Sequence, residues 1–92
     1  MSKYTVRVEL HGAEEVDYEI LHKAMHAKGF LQTIEDGTTF KLPTAEYNYV
    51  GAEEDKGEVL DMAKDAAAKT KLKFSILVTK SAGRTWYNLG EV

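Results

Sequence analysis

The sequence contains no cysteine, and this absence excludes two kinds of chemistry. A chain without thiols has neither a disulfide framework nor a thiolate nucleophile, and small domains of oxidising compartments often depend on disulfides. Long apolar runs are also missing: none approaches the roughly 18 residues that cross a bilayer, and the N-terminal MSKYTVRVEL has no apolar segment of the signal-peptide type. We therefore expect a cytoplasmic protein with no membrane-spanning segment and no signal for export.

The sequence has no excess of basic residues either. It contains 12 lysine and arginine residues and 15 aspartate and glutamate residues, which give a formal net charge of −3. Proteins that adhere broadly to nucleic acid usually carry a strong excess of positive charge. Any contact with nucleic acid is therefore expected to be local. The length of 92 residues and an ordinary apolar content predict a single domain, residues 1–92, with one core.

Alternation of apolar and polar residues from Lys3 to His11 predicts a central strand with one buried face. The spacing then changes to that of an amphipathic helix from Val16 to Lys28, and Gly29 followed by Phe30 predicts a left-handed helix end. The predicted inward stripe of this helix consists of Val16, Ile20, Leu21, Ala24, Met25 and Ala27.

The dipeptide Asp36-Gly37 predicts a hairpin turn between a strand from Phe30 to Glu35 and a strand that begins at Thr38. A two-residue turn at this point places Thr33 opposite Phe40, whereas a bulge shifts that register by one residue. The register of the hairpin therefore stays open between these alternatives.

Pro43 is the only proline, and it predicts an edge position or a bulge because it cannot donate a ladder hydrogen bond. If the parity of Phe40 continued past it, polar side chains would enter the core. We therefore predict a one-residue slip beside Pro43, and this slip buries Ala45, Tyr47 and Tyr49.

Asp55 and Glu58 resemble a capping box at the start of a second helix, which is predicted from Lys56 to about Lys69. Alternation from Lys71 to Thr79 predicts the last long strand, and residues 85–87 are predicted to fold back on it as a short extra strand. The predicted inward stripe of the second helix consists of Val59, Met62, Ala63, Ala66, Ala67 and Thr70.

The order strand, helix, two strands, helix, strand predicts an α+β, ferredoxin-like βαββαβ sandwich. Its antiparallel sheet has strands one and three in the middle and both helices on one face. The other face is open, and function is expected there. The residues predicted on it are Thr5, Arg7, Glu9, His11, Lys73, Ser75, Leu77 and Thr79.

Arg7 and Glu9 on the open face are candidate catalytic residues, because a nuclease needs charge neutralisation and proton transfer near one phosphodiester. Lys73 is a candidate RNA contact on the same face. The alternative interpretation is a cross-strand ion pair on a solvated sheet, and we favour it.

Aromatic side chains are candidate contacts for RNA bases or for a protein partner. Tyr47 qualifies if the slip at Pro43 is absent, and Trp86 qualifies if it pairs outward across from Thr79, beside Leu77. An exposed tryptophan and leucine indicate a partner or a second subunit, and Arg84 in the preceding turn belongs to the same candidate surface. We predict a homodimer through the hairpin from residue 73 to residue 87; the alternative is a monomer in which Trp86 folds over the end of its own sheet.

His22 and His26 have the four-residue spacing that lets two imidazoles share a metal ion, and His11 is a possible third ligand. Lys23 stands where the zincin motif places glutamate, and both histidines lie on the polar side of the predicted helix. Solvated histidines are therefore the preferred interpretation, and we expect neither a metal site nor another cofactor.

The order of elements, together with YTVRVEL, MHAKGF, LPTAEYNY and FSILVT…RTWY, resembles the GhoS family of small bacterial proteins. That family consists of endoribonuclease antitoxins of type V toxin–antitoxin systems. The resemblance implies a ferredoxin-like fold and cleavage of single-stranded mRNA that encodes a membrane-active toxin. It assigns an acidic residue to Glu9 and an aromatic residue to Tyr47. A basic residue of the first helix falls near His22, where this chain departs from the family.

Two hypotheses for function follow. The first is a GhoS-like antitoxin that cleaves or binds single-stranded RNA through Arg7, Glu9 and Lys73. The second is a non-catalytic inhibitor or adaptor of phage or mobile-element type that binds a protein, such as a host defence complex. The acidic balance and the lack of a recognisable catalytic set motivate the second hypothesis.

Overall fold

A computed structural model describes residues 2–51, 55–81, 87 and 89–90 of the chain. None of the helices within these residues is long and apolar enough to cross a membrane. The elements are β1 (Ser2–Leu10), α1 (Glu15–Ala27), β2 (Thr33–Asp36), β3 (Thr38–Lys41), β4 (Glu46–Gly51), α2 (Lys56–Ala67), a 3-10 turn (Ala68–Thr70) and β5 (Phe74–Ser81).

The fold is α+β, with an antiparallel sheet of three strands in the order β4-β1-β5 and a separate β2-β3 hairpin. The central position of β1 is confirmed: Val6 lies opposite Tyr47 of β4 on one side and opposite Val78 of β5 on the other. β1 buries one face, as its alternation predicts, and both helices pack on that face. The buried cluster consists of Tyr4, Val6, Val8, Leu10, Leu21, Met25, Phe30, Tyr47, Tyr49, Val59, Ala63, Ala66 and Ala67.

The end of α1 is the left-handed cap that the sequence predicts. Gly29 has a φ of +91°. Its amide donates to the carbonyl of His26 at 3.0 Å, and the amide of Phe30 donates to the carbonyl of Met25 at 3.0 Å. These two bonds are the Schellman pattern, and they satisfy carbonyls that the helix leaves unpaired. The chain therefore turns sharply, and Phe30 enters the core.

The inward stripe predicted for α1 is partly wrong. Leu21 and Met25 are buried, but Val16 is 54% exposed and Ile20 is 42% exposed. The inward side instead includes Tyr18 and His22, which lie three residues before Leu21 and Met25, respectively. The helix is rotated because Tyr18 and His22 are long side chains with polar ends that find partners at the sheet (see below).

The β2-β3 hairpin has the register of the shifted alternative. Ile34 lies opposite Phe40, one residue away from the pairing that a two-residue turn gives, and Gly37 sits at the tip with a φ of +75°. This register buries Ile34, which is 5% exposed. The strand predicted from Phe30 begins only at Thr33, because Phe30 is part of the core cluster.

Pro43 divides the predicted third strand into β3 and β4. A turn follows it, in which the amide of Glu46 donates to the carbonyl of Pro43 at 2.9 Å. The predicted slip is confirmed at Tyr47 and Tyr49, both of which are buried. The single ferredoxin-like sheet of four strands is not formed in the described residues, because only an isolated bridge at Leu31 connects the hairpin segment to β4.

The predictions for α2 are largely confirmed. The carboxylate of Asp55 accepts a hydrogen bond from the amide of Glu58 at 2.8 Å, which caps the helix. The helix ends at Ala67, two residues before the predicted end, and the 3-10 turn completes the segment. The predicted extra strand lies outside the described residues except for Tyr87.

Candidate functional site

The helix-free side of the three-stranded sheet is called the open face here. The residues that the sequence predicts on it are confirmed there. Each one is exposed or half-buried, while the residues that alternate with them along β1 and β5 pack against the core. β4 adds three residues that pair with β1, namely Glu46, Asn48 and Val50.

Arg7 lies at the centre of the open face between two carboxylates. Its Nε and Nη2 atoms donate to Oε1 of Glu9 at 3.1 and 2.8 Å, and its Nη1 atom lies 3.6 Å from Oε1 of Glu46. The hydrogen bonds that Arg7 donates to Glu9 are the main cause that raises the pKa of Arg7 above its ordinary value. The arrangement joins one cation to two anions, so it carries a net negative charge.

His11 and Ser75 form a second polar contact on the open face, with 2.8 Å between Nε2 and Oγ. Lys73 lies beside this contact, and its carbonyl oxygen accepts a hydrogen bond of 2.8 Å from the amide of His11. Lys73 lies four positions before Leu77, the β5 residue that pairs with Arg7. This separation is about 13 Å along a strand, so the sheet does not direct Lys73 and Arg7 at one phosphate group.

The remaining predicted contact residues do not form one surface. The side chain of Tyr47 is fully buried on the helix side of the sheet, so the condition for its contact with RNA bases, an absent slip at Pro43, is not met. Leu77 is 63% exposed on the open face. Arg84 and Trp86 lie outside the described residues.

A polar cluster on the helix side joins α1, the segment before β2 and β4. The Nδ1 atom of His22 lies 2.6 Å from the hydroxyl oxygen of Tyr47. The amide nitrogen of Gln32 lies 3.4 Å from Nε2 of His22 and donates to the carbonyl of Thr44 at 3.4 Å. If the amide nitrogen of Gln32 donates to both partners, Nε2 of His22 is an acceptor and Nδ1 carries the proton.

Burial sets the charge state of this cluster. It lowers the pKa of His22 below its ordinary value of 6.5, and the charge of Glu19 one turn earlier opposes this shift in part. Burial also raises the pKa of Tyr47 far above its ordinary value, so its hydroxyl keeps its proton at neutral pH. The cluster is therefore a neutral hydrogen-bonded connection between helix and sheet at neutral pH.

The lowered pKa of His22 predicts a pH-dependent stability. The unfolded chain binds a proton at His22 near pH 6.5 while the folded protein does not, so this stability is complete above pH 6.5 and is lost as pH falls through the lowered pKa. We expect the free energy of unfolding, measured in urea between pH 7.5 and 5.5, to fall less steeply in His22→Gln than in the wild type. His26→Gln, at an exposed position one turn later, should keep the wild-type slope; an unchanged slope in His22→Gln would contradict the assignment.

The three histidines do not converge. His22 contacts Tyr47 on the helix side, His26 is exposed on α1, and His11 lies across the sheet on the open face. In the described part of the chain, no three His, Cys, Asp or Glu side chains are grouped so that they could hold a metal ion.

Sequence reasoning missed the contact between His22 and Tyr47. A signal for it exists in the spacing, because Tyr18, Leu21, His22 and Met25 occupy the i, i+3, i+4 and i+7 positions of one helix face. The assignment of His22 to the polar side of the helix hid this face. Histidine and tyrosine rings carry enough apolar surface to pack inward when their polar atoms find partners.

Comparison of the chain with family models, with curated proteins and with solved structures finds no match.

Proposed function

We propose that this protein is a binding module, an inhibitor or adaptor that contacts a protein partner through the open face. The observation that carries the proposal is the position of Arg7 between Glu9 and Glu46. A guanidinium that already has two carboxylate partners is a poor clamp for a phosphodiester, because the incoming phosphate would meet both carboxylates at close range. The same arrangement suits a protein surface that supplies hydrogen-bond donors to Glu9 and Glu46.

Leu77 supplies the apolar part of this surface. It is directly opposite Arg7 in the register of β1 and β5, and it is 63% exposed. Interfaces commonly combine a protruding apolar or arginine anchor with a polar surround that excludes water. The partner that this chemistry favours is a folded protein with an apolar recess for Leu77 and a donor-rich, basic rim. A host defence complex that binds nucleic acid presents such a basic surface, and we propose this class for a protein of phage or mobile-element type.

The test is capture of partners from host lysate by the tagged protein and by two variants. Leu77→Asp is expected to weaken the binding of the stoichiometric partner about 30-fold, because loss of a central anchor costs about 2 kcal/mol or more. Val16→Asp is the matched control, since Val16 is also apolar and 54% exposed but lies on the outer side of α1. The proposal is rejected if the partner is retained by Leu77→Asp, is lost equally with Val16→Asp, or is lost after ribonuclease treatment.

The second candidate function is the GhoS-like endoribonuclease antitoxin that acts on single-stranded mRNA. The hydrogen bonds between Arg7 and Glu9 favour it, since they hold a cation and an acid–base group together on an exposed surface. Cleavage of mixed single-stranded RNAs that is lost in Glu9→Gln and kept in Glu35→Gln would establish it and displace the first proposal. Intact RNA with and without divalent ions would remove it.

Three finer proposals accompany the function. The element order supports a ferredoxin-like arrangement in which the β2-β3 hairpin lies outside the main sheet. The cysteine-free composition supports action in the cytoplasm. The exposed Leu77 supports a homodimer, which light scattering of the wild type and of Trp86→Ala at several concentrations would test; a monomer mass throughout would reject it.

A further inference from the structure

A groove lies between α1 and the segment that leads into β2, beside β4. Its volume is about 520 Å³, within the range of sites that take small molecules. The rotation of α1 that turns His22 toward Tyr47 also brings the next positions of the helix to the rim of this groove. The lining consists of His22, Lys23, His26, Phe30, Leu31, Gln32 and Thr33.

The polar groups of this lining are suited to an anion. Lys23 contributes an ammonium group, His26 an imidazole, and Gln32 and Thr33 an amide and a hydroxyl. His22 also lines the groove, but its imidazole already contacts Tyr47 and Gln32. No carboxylate is among the described residues that line the groove, although the whole chain has a net charge of −3. The charge of the groove lining is therefore opposite in sign to the net charge of the protein, and it is complementary to a negatively charged group.

The two N–H donors of Gln32 are only weakly engaged. Its amide nitrogen makes two contacts, to His22 and to Thr44, and both are 3.4 Å long. Ordinary N–H···O hydrogen bonds are about 2.9 Å, so neither contact holds the amide firmly. A stronger acceptor in the groove would draw this amide toward itself at little cost.

The other half of the groove is apolar. Phe30 is almost fully buried in the core, while Leu31 is 43% exposed. Glu19 is the acidic residue that acts on His22 from the preceding turn, and it lies outside the lining. A ligand that matches the groove thus has a compact apolar body and one anionic head.

We propose that this groove binds a small organic anion, with its phosphate or carboxylate at Lys23, His26 and the amide of Gln32 and its apolar body against Leu31. This function is separate from the protein partner that Leu77 anchors, because Leu77 lies on β5, whereas the groove lies beyond β4 at the other edge of the three-stranded sheet. Phosphate and carboxylate share the chemistry that the groove recognises, and the test distinguishes them.

The test is an NMR titration of the ¹⁵N-labelled protein with phenyl phosphate, benzoate and inorganic phosphate. We expect phenyl phosphate or benzoate to shift the amide signals of residues 22–33 with a Kd of about 1 mM or lower. Inorganic phosphate, which lacks the apolar body, should bind at least fivefold more weakly. Preference for phenyl phosphate over benzoate, or the reverse, identifies the head group.

Three variants test the charges. Lys23→Gln should weaken binding at least fivefold, whereas Lys64→Gln, which removes an exposed lysine of α2, should leave it unchanged. Glu19→Gln should tighten binding about twofold, because it removes the neighbouring negative charge. A Kd of about 1 mM gives roughly nine-tenths saturation at 10 mM ligand, so the proposal is overturned if the signals of residues 22–33 do not shift at that concentration. It is also overturned if inorganic phosphate binds equally well, or if Lys64→Gln weakens binding as much as Lys23→Gln. Leu77→Asp should bind the ligand normally, which separates this site from the open face.

Discussion

Replacement of Phe30 by alanine is expected to lower the free energy of unfolding by about 3–5 kcal/mol, a typical cost of removing a buried aromatic ring. Phe30 is 1% exposed, and its ring centroid lies 4.8 Å from that of Tyr49. The backbone bond from Phe30 to Met25 survives the substitution, so the loss comes from the side chain. Small domains are stable by about 5–15 kcal/mol in total, so this single change should bring the protein close to unfolding.

Leu31→Ala is the matched control, because it removes the adjacent apolar side chain at a position that is 43% exposed. We expect its cost to remain below about 1.5 kcal/mol, since much of that side chain is already in water. Urea denaturation followed by circular dichroism measures both variants. Equal losses in the two variants would contradict the assignment of Phe30 to the core.

Replacement of Tyr47 by phenylalanine is expected to cost about 1–3 kcal/mol, the range for a buried polar group that loses its partner. The hydroxyl lies 2.6 Å from Nδ1 of His22, and its removal leaves a half-buried imidazole nitrogen without that bond. The ring itself stays in place, so the packing of Tyr47 in the core is preserved.

A double-mutant cycle separates this bond from other effects of the substitution. In a His22→Leu background the imidazole is absent, and Tyr47→Phe should cost at least about 0.5 kcal/mol less than it does in the wild type. Chemical denaturation of the four proteins at pH 7.5 gives the coupling. Identical costs in both backgrounds would show that the hydroxyl contributes independently of His22.

Local rules explain the parts of the fold that were predictable. The alternation of β1, the glycine at the end of α1 and the carboxylate of Asp55 each act within a few residues of chain. The alanine-rich stripe of α2 was equally clear, because small apolar side chains at helical spacing have one obvious direction to face. Neither the rest of the molecule nor a partner is needed to decide these features.

The candidate site was predictable only in part. Arg7 and Glu9 are two residues apart on one strand, so their shared face follows from the period of the strand. The approach of Glu46 depends on the register of β4 against β1, which in turn depends on the turn after Pro43. The sequence therefore indicated a charged pair, and the fold converted it into a cation between two carboxylates.

The sequence by itself determined the alternation of strands and helices, the ends of each helix to within two residues, and the buried face of β1, because these depend on residue spacing and on local hydrogen bonds. Only the tertiary structure decided the rotation of α1, the separation of the β2-β3 hairpin from the sheet, and the contact between His22 and Tyr47. Each of these three features depends on how segments that are distant along the chain pack together. His22 faces inward because the hydroxyl group of Tyr47 is its partner there, and Tyr47 lies in a strand 25 residues further along the chain.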